Sequence, residues 1–187
     1  IGAVAAFLNK KNLCFKSRLE NVYLGNCDNQ EPNKSFFINS KIIKEKFSIK
    51  KVIKLIYELK VVGLFQGNME FGPRALCNRS IIFRANEKEN TDILNRYLNR
   101  SDFMPFAPII SSESAKKYFY LNSNSIDNYK FMTICCKAKL NLQKKCPAIV
   151  HIDGTARPQI INKKDNFFIH NILKSFENEY NEPCLIN

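Results

Sequence analysis

The run FQGNMEFGPRALCNRSIIFR, residues 65–84, places three arginines, Arg74, Arg79 and Arg84, within eleven positions. It reads as a strand, a loop rich in glycine and proline, and a second strand. Neither the G-x-x-x-x-G-K-[ST] pattern of a P-loop nor G-x-G-x-x-G is present, so a nucleotide would be held in another way. Gly67 and Gly72 let backbone amides approach an anion, while Arg74, Asn78, Arg79 and Ser80 add charge and hydrogen-bond donors. A forked guanidinium meets two phosphate oxygens at once, which lysine cannot do. An equally weighted alternative is that these arginines pair with Glu70, Glu87 or Asp92 on the surface.

A second group is HIDGTAR, residues 151–157. On a strand, His151 and Asp153 point to the same face, and the turn at Gly154 brings Thr155 and Arg157 near the strand's end, where open α/β sheets bind ligands. A phosphate or acyl group could be gripped there. Taken alone, the same residues read more simply as an Asp-Gly hairpin turn beside a satisfied histidine.

Other chemistries find little support. The seven cysteines form no C-x-x-C pair and no disulfide framework, which fits a reduced, cytoplasmic protein. Cys135 and Cys136 read as small core residues without a basic partner, and His151 and His170 are too far apart in sequence to suggest a zinc site.

These residues must be carried by a fold of modest size. With 187 residues, 45% hydrophobic and 25% charged, the chain suits one compact domain, and no apolar run approaches the ~20 residues of a membrane span. The net charge of +12 attracts anions, but the lysines are scattered over what read as solvated helix faces. Residues 1–34, which begin without Met, read as the tail of something preceding plus a linker. A helix capped by Ser48 follows, with Val52, Ile53, Ile56 and Leu59 on one face, then VVGLFQ as a buried strand. SIIFR is a strand, and ENTDILNRYLN a helix with Ile93, Leu94, Tyr97 and Leu98 on one face. FMPFAPII must be extended or turning, and SSESAKKYF is a capped helix before a polar loop. YKFMTICCK, AIVHID and ARPQII read as strands, a helix carries Ile169, Ile172, Leu173 and Phe176, and PCLIN begins a last strand. Strands alternating with helices predict an α/β or α+β sheet covered by helices.

In their order, GLFQGNMEFGPRALCNRSI, PFAPII, PAIVHIDGTARPQ and EPCLIN resemble the C-terminal domain of the carbamoyltransferase family that acts in nodulation-factor and antibiotic biosynthesis. The resemblance covers roughly residues 49–187, and ENVYLGN is similar to the family's junction segment. It implies a YrdC-like twisted mixed sheet over 35–187 that makes carbamoyl-adenylate from ATP and carbamoyl phosphate, with Mg²⁺ on the phosphates. It also implies a partner N-terminal domain, carrying histidine-bound iron, that transfers the carbamoyl group to a hydroxyl acceptor. Under it Arg74 and Arg79 become oxyanion holders, Arg157 a phosphate or carbamoyl ligand, and Asn187 the start of the family's N-T-S-F-N strand, of which this chain carries only the first residue. His151 and Asp153 become orienting groups, and Asn78, Ser80 and Thr155 supporting ligands. Membrane and nucleic-acid partners are not expected.

The sequence departs from the family at three places. Asn68 and Met104 stand where arginines are usual, and Cys77 where glycine is usual. The competing reading is a degenerate domain of the same fold serving as an RNA-binding or scaffold module.

Overall fold

The computed structural model describes residues 2–13, 19–26, 45–101, 105–121 and 126–187. Met104 and the boundary expected between residues 34 and 35 lie outside them. Helix α1 (Gly2–Lys10) buries none of its residues, and Val4 and Phe7 are exposed.

Helix α2 (Ile49–Tyr57) starts at Ser48, whose hydroxyl accepts from the Lys51 amide, and it buries Ile53 and Ile56. Strands β1 (Val62–Phe65) and β2 (Arg79–Arg84) pair antiparallel, with Phe65 opposite Arg79, so the arginine loop is a long connection between two neighbouring strands. Helix α3 (Glu89–Leu98) ends at Asn99 in a left-handed conformation that Asn tolerates. Strand β3 (Pro108–Ser111), helix α4 (Ser112–Tyr118), strands β4 (Phe119–Tyr120) and β5 (Cys136–Ala138), and helix α5 (Leu140–Lys145) follow. Strands β6 (Thr155–Ala156) and β7 (Gln159–Ile161), helix α6 (Phe167–Tyr180) and strand β8 (Cys184–Ile186) complete the described chain.

The strands form a mixed five-stranded sheet in the order β1-β2-β8-β3-β7, parallel only between β3 and β7, and a three-stranded antiparallel sheet β4-β5-β6. Alternation along the strands sends Ile82, Ile109, Ile161 and Leu185 to one face, where they join Ile53 and Ile56 of α2 and Ile169, Ile172, Leu173 and Phe176 of α6. Phe83, Ile110, Ile160 and Ile186 turn to the other, joining Tyr118, Phe119 and Tyr129. Two cores on opposite faces of one sheet, with helices covering it, make this an α+β fold.

Several elements differ from the sequence reading. VVGLFQ is an edge strand and leaves Phe65 72% exposed, because its helix partner covers one face only. YKFMTICCK is a strand only at Cys136–Ala138; Ile126–Tyr129 forms a 3₁₀ turn and Cys135 is exposed, while Cys136 is buried. AIVHID is not a strand: Pro147–Ile149 is a 3₁₀ turn, and His151 and Asp153 sit on the turn after it. Pro158 splits ARPQII into β6 and β7, which belong to different sheets. PCLIN is a central strand, between β2 and β3. Tyr97 stays 76% exposed, off the buried face of α3.

Candidate anion-binding site

The arginine loop is organised by a buried carboxylate. Glu70 Oε1 accepts from the backbone amides of Leu76, Asn78 and Arg79 at 2.7, 2.6 and 3.0 Å. Burial pushes the Glu70 carboxyl up, but these amides outweigh it and hold the group below its ordinary range. Positive φ at Gly67, Gly72 and Cys77 turns the chain around this carboxylate. Among the described residues, Glu70 forms no ion pair with an arginine. Arg84, the third arginine of the run, pairs with Glu182, which is none of the partners the surface alternative named.

Asn78 and Ser80 lie inside this scaffold. The Asn78 amide nitrogen donates to Asn68 O at 2.7 Å and its oxygen accepts from Asn166 Nδ2 at 3.1 Å, while Ser80 Oγ accepts from the Cys77 amide at 2.8 Å. Both side chains are buried, and the structure places them behind the loop, not among the residues lining the cavity it frames.

That cavity, about 490 Å³, is lined by Arg74, Arg79, Arg100, Arg157 and Asn187 over a floor that includes Phe106 and Ile186. The loop brings Arg74 and Arg79, the segment after α3 brings Arg100, and the β6–β7 junction brings Arg157. Asn187 follows central strand β8; its amide nitrogen donates to Ala75 O at 3.2 Å and Gln159 Oε1 at 3.4 Å. Among the described residues, no carboxylate side chain lines the cavity.

The four guanidinium groups are not equivalent. Arg79 Nη1 donates to the carbonyls of Gln66 at 2.8 Å and Asn78 at 3.0 Å, Nη2 donates to Gly67 O at 3.2 Å, and the group lies 3.6 Å from the Phe65 ring centre. It is fastened to the loop it helps form. Arg100 lies over the Phe106 ring at 4.4 Å. Arg157 Nε is buried without any hydrogen-bond partner. A buried guanidinium nitrogen left unpaired is costly, and Arg157 is among the residues that line the cavity. Arg100 was not singled out by sequence reasoning; its only signal was a cation just before the PFAPII motif.

His151, Asp153 and Thr155 form a separate, self-contained group. Thr155 Oγ1 and its amide donate to Asp153 Oδ1 at 2.7 and 2.9 Å, and His151 Nδ1 lies 3.0 Å from Thr155 Oγ1. With its proton given to Asp153, Thr155 Oγ1 is placed to accept from His151 Nδ1–H. The Thr155 bonds hold the Asp153 carboxyl below its usual range. His151 and Asp153 line a second cavity of about 610 Å³ with Lys88, Thr91 and Asp92, and Pro105 and Phe106 line both cavities. The structure thus brings Arg74, Arg79, Arg157 and Asn187 together, and puts His151 and Asp153 across the Phe106 wall with Thr155 bonded to both.

The mixed α+β domain thus presents four arginines, and among the described residues no carboxylate side chain, to one cavity, a lining whose charge suits an anion. Comparison with known proteins gives it a family: the model described as carbamoyltransferase C-terminus matches residues 53–187, and the chain belongs to that family. Nodulation protein NolO of Bradyrhizobium diazoefficiens is 35% identical over 128 residues, 68% of this chain and 23% of that protein. Nodulation protein U of Sinorhizobium fredii is 35% identical over 140 residues, 75% of this chain and 24% of its own length. Uncharacterized protein MJ1051 of Methanocaldococcus jannaschii is 34% identical over 180 residues, 96% of this chain. The chain spans about a third of that relative, 34% of its length, and less of the two nodulation proteins.

Among the described residues no helix is long and apolar enough to cross a membrane, and no group of three His, Cys, Asp or Glu side chains is placed to hold a metal ion. The arginine cavity fits phosphate oxygens. Lacking a carboxylate, its described lining does not fit a Mg²⁺ ion held by the protein, and any such ion would have to arrive on the phosphates.

Proposed function

We infer that this domain makes carbamoyl-adenylate for a carbamoyltransferase that O-carbamoylates a small-molecule or sugar hydroxyl. The observation that carries this reading is the convergence of Arg74, Arg100 and Arg157 on one cavity where, among the described residues, none of the three donates a hydrogen bond and no carboxylate side chain lines the wall. Carbamoyl phosphate plus water gives carbamate and phosphate; a carbamate oxygen then bonds to the α-phosphorus of ATP, and the bond to the bridging oxygen breaks as pyrophosphate leaves with the electron pair. Negative charge crowds into a small volume throughout.

The chain's own part is to hold that charge. Arg157, with its buried Nε unpaired, is assigned to a phosphoryl oxygen, and Arg74 and Arg100 to the leaving pyrophosphate. Arg79, already bonded to three carbonyls, keeps the loop in shape and contributes charge. The second cavity, with acceptors on Asp92 and Asp153, suits the uncharged remainder of the nucleotide. The buried thiols of Cys77, Cys136, Cys146 and Cys184 fit a reducing, cytoplasmic setting.

The test is carbamoyl-phosphate-dependent release of pyrophosphate from ATP by the full-length protein, with Arg157→Ala in parallel. Release that requires carbamoyl phosphate and is lost in the variant is expected. A folded protein that binds ATP but releases no pyrophosphate would sink the reading.

A further inference from the structure

The arginine loop is held from two sides. Glu70 grips it from within; from without it is gripped by a short strap, Val22–Gly25, that lies far upstream in sequence. The Phe71 amide donates to Val22 O at 2.7 Å, the Gly25 amide to Met69 O at 3.0 Å, and Asn68 Nδ2 to Tyr23 O at 3.3 Å. The Tyr23 hydroxyl crosses over the loop and donates to Leu76 O at 2.8 Å. Val22 is buried in the same core as Leu76 and Cys77. The peptide units on either side of Arg74 are therefore tied to the strap, at Met69 and Phe71 before it and at Leu76 after it.

The fit is close. A Cβ placed on Gly25 would stand 2.8 Å from Met69 Cβ and 3.0 Å from Met69 O. Those are loop backbone and the root of a side chain, which cannot swing away, so only glycine lets the strap lie this near.

We propose that the strap Val22–Gly25 is a positioning element for the anion cavity, with Tyr23 and Gly25 as its positioning residues, so that strap docking and anion binding strengthen each other. The inference rests on the reading of the cavity as an anion site. Its physical basis is reciprocity: if the docked strap holds the loop in the conformation that aims Arg74 and Arg79 at the ligand, a bound anion must favour the docked strap by the same factor. Whatever precedes Val22 in the protein is then linked mechanically to the site.

Tripolyphosphate is the probe, since it carries the charge of the nucleotide without base or sugar. In the full-length wild-type protein its binding is followed by calorimetry, and hydrogen exchange of the Phe71 and Gly25 amides reports strap docking. Saturating tripolyphosphate is expected to slow exchange at both amides by at least about fivefold. Gly25→Ala is expected to speed that exchange and to weaken tripolyphosphate binding by a comparable factor, while the amides of central strand β3 stay protected. If Gly25→Ala keeps the strap docked, Tyr23→Phe, which loses the bond to Leu76 O, is read the same way.

Binding without slowed exchange in the wild type overturns the proposal, as does wild-type affinity in a variant whose strap exchanges freely. A variant that does not fold leaves the wild-type exchange measurement to decide. Failure to bind tripolyphosphate removes the cavity reading and this inference with it. Coupled binding in a protein that releases no pyrophosphate defeats the carbamoyl-adenylate reading alone.

Discussion

Arg84 Nε lies 3.1 Å from both carboxylate oxygens of Glu182, and this two-point pair separates the third arginine of the opening run from the two that face the cavity. Its guanidinium also lies 4.0 Å from the Tyr57 ring centre and donates to Tyr57 O at 3.0 Å. Both partners are largely buried, so Arg84→Ala strands the Glu182 carboxylate. A loss of about 3 kcal/mol in unfolding free energy is expected, at the lower end for broken buried pairs because some solvent reaches this one. Denaturant titration measures it. Tripolyphosphate affinity should stay at the wild-type value, since Arg84 does not line the cavity; a fall would mean that the pair acts on the site.

Arg157→Ala should behave in the opposite way. Its Nε is buried and unpaired, so that nitrogen carries a desolvation cost with no hydrogen bond to offset it. The expected melting temperature is that of the wild type or slightly higher. Affinity for ATP or tripolyphosphate should fall roughly ten- to hundredfold, the equivalent of about 1.5–3 kcal/mol for hydrogen bonds to a charged group. A variant that loses stability while keeping affinity would assign Arg157 to the fold instead.

The contrast between Arg84 and Arg157 shows what could be read before the fold was known. The arginine loop, the Ser48-capped start of α2 and the strand at SIIFR are local, and the sequence states them directly, whereas the serine cap expected for SSESAKKYF is not made, since Ser111 before α4 forms no capping hydrogen bond. Which arginine would be neutralised is decided by Glu182, a partner supplied by the turn before β8 nearly a hundred positions away. Arg100 joins the site from just beyond Asn99, which ends α3 in the left-handed region, and through a contact with the Phe106 ring that no local pattern announces. The pattern of HIDGTAR places His151 and Asp153 on one strand face; the structure puts them on the turn after the 3₁₀ segment Pro147–Ile149, where the two still meet through Thr155. The cost of the departures from the family pattern also needed coordinates: Asn68 binds the strap through Tyr23 O, and Cys77 stands at φ 80°.

That backbone angle gives Cys77 a testable cost. A residue with a Cβ in the left-handed region loses about 1–2 kcal/mol relative to glycine, and glycine is the residue the family resemblance expects there. Cys77 is fully buried, so Cys77→Gly gives up packing as well, and a direct comparison with the wild type mixes the two effects. The clean comparison is Cys77→Gly with Cys77→Ala, both of which lack the thiol. Glycine is expected to be the more stable by about 1 kcal/mol, once its greater freedom in the unfolded chain is set against the relieved strain. Thermal unfolding of the two variants decides it; alanine the more stable would mean that the angle is not strained.

Glu70 makes stability depend on acid. In the folded protein its carboxyl is held below the ordinary value of 4.5, because the three loop amides outweigh the upward push of burial. A depressed carboxyl contributes stability that is fully present above its unfolded value and is lost as pH falls through the folded one, so the effect belongs to the range below about pH 4.5. Glu70→Gln keeps an oxygen in place to accept from Leu76, Asn78 and Arg79 but removes the charge, and neutral acceptors contribute about 1 kcal/mol less than charged ones. The variant is therefore expected to be the less stable by about that amount at neutral pH, with the two stability curves converging as the pH drops below 4.5. Tripolyphosphate binding should weaken in parallel at neutral pH, since a looser loop aims Arg74 and Arg79 less well. A gap between the curves that stays constant down to acid pH would show that the loop uses the shape of the Glu70 side chain and not its charge.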